Sequence, residues 1–267
     1  MEFDRRVQVR LYPDSGERPF FGSGYLIAPR LVLTAAHVLG DEASGPDPGS
    51  IKVSVPPSDA RGSPDLAAGR EFLAELRYYR KTQTVDAALV EIKKDDVWIV
   101  PESLQDVTTH APQRWGRLIG TRPHPVSLIG FPRMQQDPGS QDRSSRQLNG
   151  HIDPGNQSPD HRYEIFSTDP VRHFFPEAAE GTRWSGISGA AVLAEATEGD
   201  LLCGVARHDL KADGGTILTA TPVALLLEDS EFRSTITAYS HAWEPVLASR
   251  FHEGACPRVD RKDGKCS

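Results

Sequence analysis

Short apolar segments, separated by glycine, proline and polar residues, make up most of the chain. Many of them are rich in β-branched and aromatic residues, as is usual for β-strands that end in tight turns. One segment, 87–92, is apolar almost throughout, which is typical of a buried strand. The predicted strands span 6–11, 20–27, 30–33, 51–55, 71–79, 87–92, 125–130, 147–152, 163–167, 189–193, 201–206 and 215–220.

The pattern changes in two places along the chain. Residues 93–122 are polar and irregular, and they resemble a connector between two groups of strands. From about Pro222 the apolar residues follow helical spacing, with a turn-like break at 229–230, so a C-terminal helix is expected. Two groups of short strands followed by a helix indicate an all-β double barrel rather than a parallel α/β sheet. The expected units are 1–115, 116–221 and 222–267, the last comprising the helix and a tail.

Composition and charge narrow the range of functions. The 267 residues fit one large domain or two closely packed small ones, and 25% of them are charged. The formal net charge of -7 and the lack of a Lys/Arg-rich run argue against nucleic acid or an anionic membrane as partner. The N-terminus lacks the apolar core of a secretory signal, and no apolar stretch is long enough to span a bilayer.

Cysteine and histidine usage bears on location and on metal sites. The three cysteines, Cys203, Cys256 and Cys266, are an odd and sparse set, which favours a cytoplasmic protein over a disulfide-rich secreted one. The histidines show no spacing typical of a metal site, and no C-x-x-C motif occurs. We therefore expect no metal, no cofactor and no disulfide framework.

The segment 184–192, which reads WSGISGAAV, contains a candidate nucleophile, Ser188. Gly186 allows a tight turn and leaves no side chain in the path of an approaching carbonyl group. The backbone N–H groups of Gly186 and Ser188 are expected to form an oxyanion hole, the donor pair that stabilises the negative charge developing during acyl transfer. By itself, the motif also fits a plain turn that leads into a buried strand.

Two other segments contain candidates for a base and its orienting partner. His37 follows an apolar strand and two alanines, so its imidazole is expected at the rim of a core. Asp86 precedes a strongly apolar strand, where a carboxylate is costly unless something pairs with it. A bond to His37 would provide that partner and fix the imidazole tautomer. Taken singly, His37 also fits a structural role, and Asp86 also fits a turn or an N-cap.

Together these segments resemble the trypsin-like, or chymotrypsin-fold, serine peptidases. The likeness runs from about Val7 to Pro222, and the matching motifs are GSGYLI at 22–27, LTAAH at 33–37, DAAL at 86–89, LIGFP at 128–132 and GISG at 186–189. The resemblance implies two six-stranded antiparallel β-barrels with the active site in the cleft between them. It also implies a catalytic triad of His37 and Asp86 from the first barrel and Ser188 from the second, acting on protein or peptide substrates.

The resemblance sets further expectations for activation and specificity. Digestive members carry an Asp immediately before the nucleophile, which pairs with a new N-terminus after cleavage; here that position is Ile187, so this switch is not expected. One wall of the substrate pocket would be formed by Thr182 and Arg183, and the opposite strand would supply Ala206, Arg207 and His208. Basic side chains there would favour an acidic residue before the scissile bond. If Arg183 and Arg207 instead point to solvent, an aliphatic or small preference is expected.

The string TPVALLLEDSEFR at 221–233 is similar to the end of trypsin-like domains in bacterial multidomain proteins of conflict and defence responses. This likeness leads to the hypothesis that the protease activates a partner protein in a bacterial defence or signalling pathway. The alternative is a catalytically gated or silent fold that binds peptides. An esterase with the same triad is not expected, because its histidine would come last in the chain and its nucleophile would lie in G-x-S-x-G.

Overall fold

The computed structural model describes residues 3–41, 43–55, 70–94, 98–105, 113–136, 143–156, 160–169, 184–196, 199–209 and 217–239. Within these ranges the chain is built mainly of short strands. The strands are β1 (Arg6–Pro13), β2 (Phe20–Ala28), β3 (Leu31–Thr34), β4 (Gly40–Asp41), β5 (Gly45–Pro46), β6 (Gly49–Ser54), β7 (Glu71–Lys81), β8 (Asp86–Ile92), β9 (His124–Gly130), β10 (Arg146–Ile152), β11 (Tyr163–Ser167), β12 (Ala191–Ala194), β13 (Leu201–Asp209) and β14 (Ile217–Pro222). Two helices follow, α1 (Val223–Glu228) and α2 (Ser230–Tyr239).

Twelve of these strands form two closed barrels of six strands each. The first has the order β1, β2, β3, β8, β7, β6, and the second has the order β10, β11, β14, β13, β12, β9. Every pairing inside the barrels is antiparallel. The predicted fold class, two six-stranded antiparallel barrels with a C-terminal helix, is therefore confirmed. Closure leaves no long strand edge open for pairing with other chains.

The structure differs from the predicted elements mainly at their ends. β4 and β5 pair as a separate two-stranded sheet in a segment where no strand was predicted. The predicted strand 189–193 begins at Ala191, because Gly189 adopts a φ of +91°, outside the extended region. The predicted break in the helical segment is confirmed at Asp229, whose Oδ1 accepts the backbone N–H of Glu231 at 2.9 Å and so caps α2.

Each barrel encloses its own apolar core. Val9, Val32, Phe72 and Val90 belong to a buried cluster of first-barrel residues. A second cluster contains residues of the other barrel: Leu128, Leu148, Ile165, Val192, Cys203 and Leu218. Cys203 is fully buried, and this burial raises the pKa of its thiol to about 12. It is therefore a core residue and not an exposed reactive thiol.

A third apolar cluster joins the barrels to the helices. Leu33 and Leu89 come from the first barrel, Leu193 and Leu202 come from the second, and Phe232 comes from α2. Because side chains alternate along a strand, β3 and β8 bury one face inside the barrel and the other in this cluster. Burial on both faces explains the nearly unbroken apolar run at 87–92.

The described ranges contain neither a membrane-spanning helix nor a cluster of metal-ligating side chains. In this part of the chain, no helix is long and apolar enough to cross a membrane. Over the same residues, no group of three or more His, Cys, Asp or Glu side chains is arranged to hold a metal ion.

The joining cluster generates a stability prediction. Phe232 is fully buried and makes edge-to-face contacts with Tyr78 at 5.2 Å and Trp115 at 5.9 Å between ring centroids. Phe232→Ala should therefore lower the free energy of unfolding by about 3–5 kcal/mol, measured by urea denaturation. The matched control is Phe20→Ala, because 43% of Phe20 is exposed and its removal should change stability much less. Equal losses in the two variants would show that α2 contributes no more than a surface residue.

Candidate active site

His37 lies on a single 3₁₀ turn directly after β3. Ala35 and Ala36, the two residues before it, are both fully buried, so the turn sits close against the barrel. The backbone N–H of Leu39 bonds to the Ala36 carbonyl at 2.8 Å and fixes the turn. The imidazole itself remains 30% exposed, which leaves it open to an incoming group.

Asp86, at the start of β8, holds His37 by two bonds. The Asp86 Oδ1 accepts the backbone N–H of His37 at 2.9 Å, and Oδ2 lies 2.6 Å from His37 Nδ1. A carboxylate partner places the imidazole proton on Nδ1 and leaves Nε2 free to accept a proton. The Asp86 N–H in turn bonds to Thr221 Oγ1 of the second barrel at 3.1 Å. The pair therefore lies where the two barrels meet.

The electrostatics of this pair favour the ionised carboxylate. Only 1% of the Asp86 side chain is exposed, and burial by itself would raise the pKa of this carboxyl. The bonds from His37 outweigh that effect and lower the pKa to about 2. Asp86 is therefore an anion at neutral pH, suited to orient and stabilise a protonated imidazole.

Ser188 lies on a sharp loop between the two barrels. Its carbonyl accepts the N–H of Ser23 at 2.7 Å, and the next N–H, of Gly189, bonds to the Ala206 carbonyl at 2.8 Å. The loop is thus tied to β2 of the first barrel and β13 of the second. Gly189 is required here, because its φ is +91° and a Cβ would collide with the Ser23 carbonyl oxygen. Gly22 is also closely packed, because a Cβ there would collide with the side chain of Val38, the neighbour of His37, and lie 3.1 Å from the Ser188 carbonyl oxygen.

The Ser188 hydroxyl has an unexpected partner. It donates a short hydrogen bond to the backbone carbonyl of Arg207. The hydroxyl of Ser188 is therefore directed at the Arg207 carbonyl and not at His37 Nε2. A rotation about one side-chain bond would be needed to bring the two together.

The peptide groups beside Ser188 are held in a fixed orientation. The Ser185 carbonyl accepts the N–H of Arg133 at 2.8 Å and Nη1 of Arg143 at 3.0 Å, and the Gly186 carbonyl accepts Ser23 Oγ at 2.6 Å. In a trans peptide the N–H points away from the preceding carbonyl, so the N–H of Gly186 faces away from Arg143. Among the described residues, neither this N–H nor that of Ser188 is hydrogen-bonded to a backbone carbonyl.

Arg143 reaches this loop as a partly buried cation. It stacks on the Phe21 ring, with its guanidinium carbon 3.9 Å from the ring centroid. Burial, together with the charges of Arg133 and Arg10, lowers the pKa of Arg143 to about 10. Sequence reasoning missed this residue, because it lies at the end of a polar loop and nothing local indicates a contact 42 residues away.

The residues expected to line the substrate pocket are only partly described. Thr182 and Arg183 lie outside the described residues, as does the side chain of His208, although the His208 backbone belongs to β13. Ala206 is fully buried in β13. The Arg207 side chain is only 6% exposed and lies beside Asp86, so it does not point to solvent. Its place in the substrate pocket stays a prediction.

The chain matches a known protein family over more than half of its length. The family model described as a trypsin-like peptidase domain matches residues 22–203, which include His37, Asp86 and Ser188. The chain belongs to the trypsin-like peptidase family. By class it is therefore a serine endopeptidase, a hydrolase whose substrates are proteins or peptides. A search of curated proteins gave no match.

Solved structures with the same fold are distant in sequence. A thermostable serine protease from an extremophilic microorganism has a TM-score of 0.58 at 13% identity, covering 87% of this chain and 97% of the other. A Glu endopeptidase has a TM-score of 0.55 at 16% identity, covering 86% and 90%. The active form of a protease from M. tuberculosis has a TM-score of 0.52 at 16% identity, covering 92% and 84%. At such identities the likeness shows the trypsin-like fold.

The low pKa of Asp86 generates a prediction about stability and pH. Because the folded-state pKa of about 2 lies below the ordinary 3.8, the ionised carboxylate favours the folded state. This contribution, about 2 kcal/mol, is fully present above about pH 4 and is lost as the pH falls through the folded-state pKa.

We therefore expect the difference in free energy of unfolding between wild type and Asp86→Asn to shrink by about 2 kcal/mol between about pH 4 and about pH 2. Urea unfolding across this range measures it. A difference that stays constant down to the lowest pH would contradict the assigned role of the His37 bonds.

Proposed function

We propose that this protein is an active serine endopeptidase that uses Ser188 as nucleophile, His37 as general base and Asp86 as the group that orients His37. The observation that carries the proposal is the two-bond contact of Asp86 with His37, beside a serine held on a glycine turn. A buried carboxylate that binds both the ring and the backbone of one histidine fixes the direction of Nε2. That arrangement suits a base in nucleophilic catalysis.

The proposed reaction has two stages. Ser188 Oγ turns from the Arg207 carbonyl toward His37, transfers its proton to Nε2 and forms a bond to the scissile carbonyl carbon. The N–H groups of Gly186 and Ser188 stabilise the resulting oxyanion. The C–N bond then breaks as His37 returns the proton to the leaving amine, which leaves an acyl group on Ser188. Water, deprotonated by the same imidazole, hydrolyses this ester and restores the serine.

Specificity at the residue before the scissile bond stays a prediction. With Arg207 engaged at Asp86, the basic character expected of the pocket rests on Arg183 and His208. We infer an acidic preference from these two residues, and the similarity of fold to a Glu endopeptidase is compatible with it. A small or aliphatic preference is the competing proposal, because Ala206 adds no charge to this wall.

Biological context is also part of the proposal. The likeness of 221–233 to trypsin-like domains of bacterial defence proteins supports a partner protein as the substrate. The sparse, odd set of cysteines supports action in the cytoplasm.

A gated peptidase or a silent peptide-binding module is the second candidate, and one observation favours it. The Ser188 hydroxyl is bonded to the Arg207 carbonyl and not to His37. If that bond persists when a peptide binds, the nucleophile stays inactive until a partner or a substrate displaces it.

Labelling with a fluorophosphonate probe separates the two candidates. Wild type should react covalently, and Ser188→Ala should not, because the probe requires an activated serine hydroxyl. Ser185→Ala is the matched control; it removes a hydroxyl from the same loop and should still react. A peptide library then reports the residue preferred before the cleaved bond. A folded wild-type protein that neither reacts with the probe nor cleaves any peptide would overturn the proposal in favour of the binding module.

Arg143 provides a second test, directed at the oxyanion hole. Arg143→Gln should free the Ser185 carbonyl to rotate and displace the Gly186 N–H, so we expect kcat to fall by about 10²–10³ with a smaller change in KM. Arg77→Gln is the control, since Arg77 forms surface ion pairs with Glu75 and Glu91. Circular dichroism verifies folding. An unchanged kcat in folded Arg143→Gln would mean that the loop keeps its shape without this contact.

A further inference from the structure

Arg207 is a buried cation at the centre of the candidate site. Only 6% of its side chain is exposed, and its Nε lies 3.5 Å from Asp86 Oδ2. The Nη1 group donates to the Gln83 carbonyl at 3.1 Å. The distance to Asp86 is long for a strong hydrogen bond, so the contact is mainly ionic. With 1% of the Asp86 side chain exposed, this ion pair is almost entirely shielded from water.

The contact involves the same carboxylate oxygen that holds His37. Oδ2 of Asp86 lies 2.6 Å from His37 Nδ1 and 3.5 Å from Arg207 Nε. A guanidinium remains protonated throughout the working range of an enzyme. The single negative charge of Asp86 is thus divided between a permanent cation and an imidazole that gains and loses a proton. Because the site is buried, water screens the two interactions only weakly.

Arg207 also touches the other functional residue. Its backbone carbonyl accepts the Ser188 hydroxyl, while its side chain lies against Asp86. The register of β13 against β14 shifts between Ala206 and Asp209, immediately around this residue. A register shift of this kind re-aims side chains, which accounts for an arginine that turns toward the neighbouring barrel.

We propose that Arg207 is a positioning residue for the His37–Asp86 pair, because it fixes Asp86 Oδ2 and offsets part of the carboxylate charge that faces His37. This inference rests on the proposed triad and deepens it. Removal of the cation leaves the whole carboxylate charge to His37, so the imidazolium becomes more stable and the histidine titrates at higher pH.

Other charged groups near the pair influence the pKa of Asp86 or of Arg207. Lys81 at the end of β7 also lowers the pKa of Asp86, as a smaller contribution than the His37 bonds. Asp160 and Arg162 act on Arg207 with opposite signs, and they are ion-paired with each other. Arg207 is singled out by geometry, since its Nε lies 3.5 Å from Asp86 Oδ2.

The test uses two variants that separate charge from shape. Arg207→Gln removes the charge but retains an N–H group at about the depth of the Arg207 Nε, whereas Arg207→Lys keeps the charge. We expect Arg207→Gln to move the titration midpoint of His37 upward by about one pH unit. Arg207→Lys should leave it close to the wild-type value, and the control Lys81→Gln should shift it less than Arg207→Gln does.

Two readouts report the midpoint. The acidic limb of the pH profile of kcat/KM gives it for the working enzyme. Nitrogen NMR of the imidazole, assigned with His37→Gln, gives it for the resting protein without any turnover. A wild-type protein that cleaves nothing would therefore refute the proposed function, while the NMR midpoints still decide the role of Arg207.

Two results would overturn the proposal and leave Arg207 as a packing residue. One is a folded Arg207→Gln variant whose His37 midpoint is unchanged or lower than in wild type. The other is an Arg207→Lys variant whose His37 midpoint shifts as far as that of Arg207→Gln. If Arg207→Gln does not fold, Arg207→Met replaces it, since an apolar side chain avoids an unpaired buried amide. If neither neutral variant folds, Arg207→Lys decides the test. A His37 midpoint that moves upward by about one pH unit in this variant, although the charge is kept, would contradict the electrostatic role.

Discussion

Burial of the Asp86 carboxylate is the constraint on which the centre of this molecule depends. A lone carboxylate shielded from water would cost several kcal/mol, so its position requires partners that arrive together. His37 supplies two bonds from the turn after β3, and Arg207 brings a guanidinium from β13 of the other barrel. Because these partners come from different barrels, the carboxylate has its full set of contacts only when the barrels are docked. Docking of the barrels therefore completes the site.

The loop that carries Ser188 is also fixed by contacts with both barrels, but these contacts are mainly apolar packing and hydrogen bonds to its carbonyl groups. Digestive members of the trypsin-like family use a carboxylate before the nucleophile, but here Ile187 occupies that position and is buried in the core of the second barrel. The loop is instead held by apolar packing and by bonds from Ser23 and Arg143 to its carbonyls.

Much of the fold was predictable because it is encoded locally. The apolar run at 87–92 identified a strand buried on both faces, and the break near Asp229 marked the boundary between two helices. The pair of β4 and β5 was not predictable, since two residues per strand carry no periodic pattern. The three candidate catalytic residues could likewise be selected from short motifs, each of which combines a reactive side chain with the small residues that its turn requires.

The sequence by itself thus determined the fold class and the identity of the candidate triad, because strand periodicity, glycine turns and short motifs are properties of neighbouring residues. Tertiary structure decided what the arginines do. Arg207 was expected at a substrate pocket, yet its side chain, beside the register shift in β13, lies against the negative charge of buried Asp86. Arg143 gave no local signal, and in the fold its guanidinium stacks on Phe21 and contacts the Ser185 carbonyl. Long, flexible cations take their partners from whatever the fold places nearby, and that is settled by contacts distant in sequence.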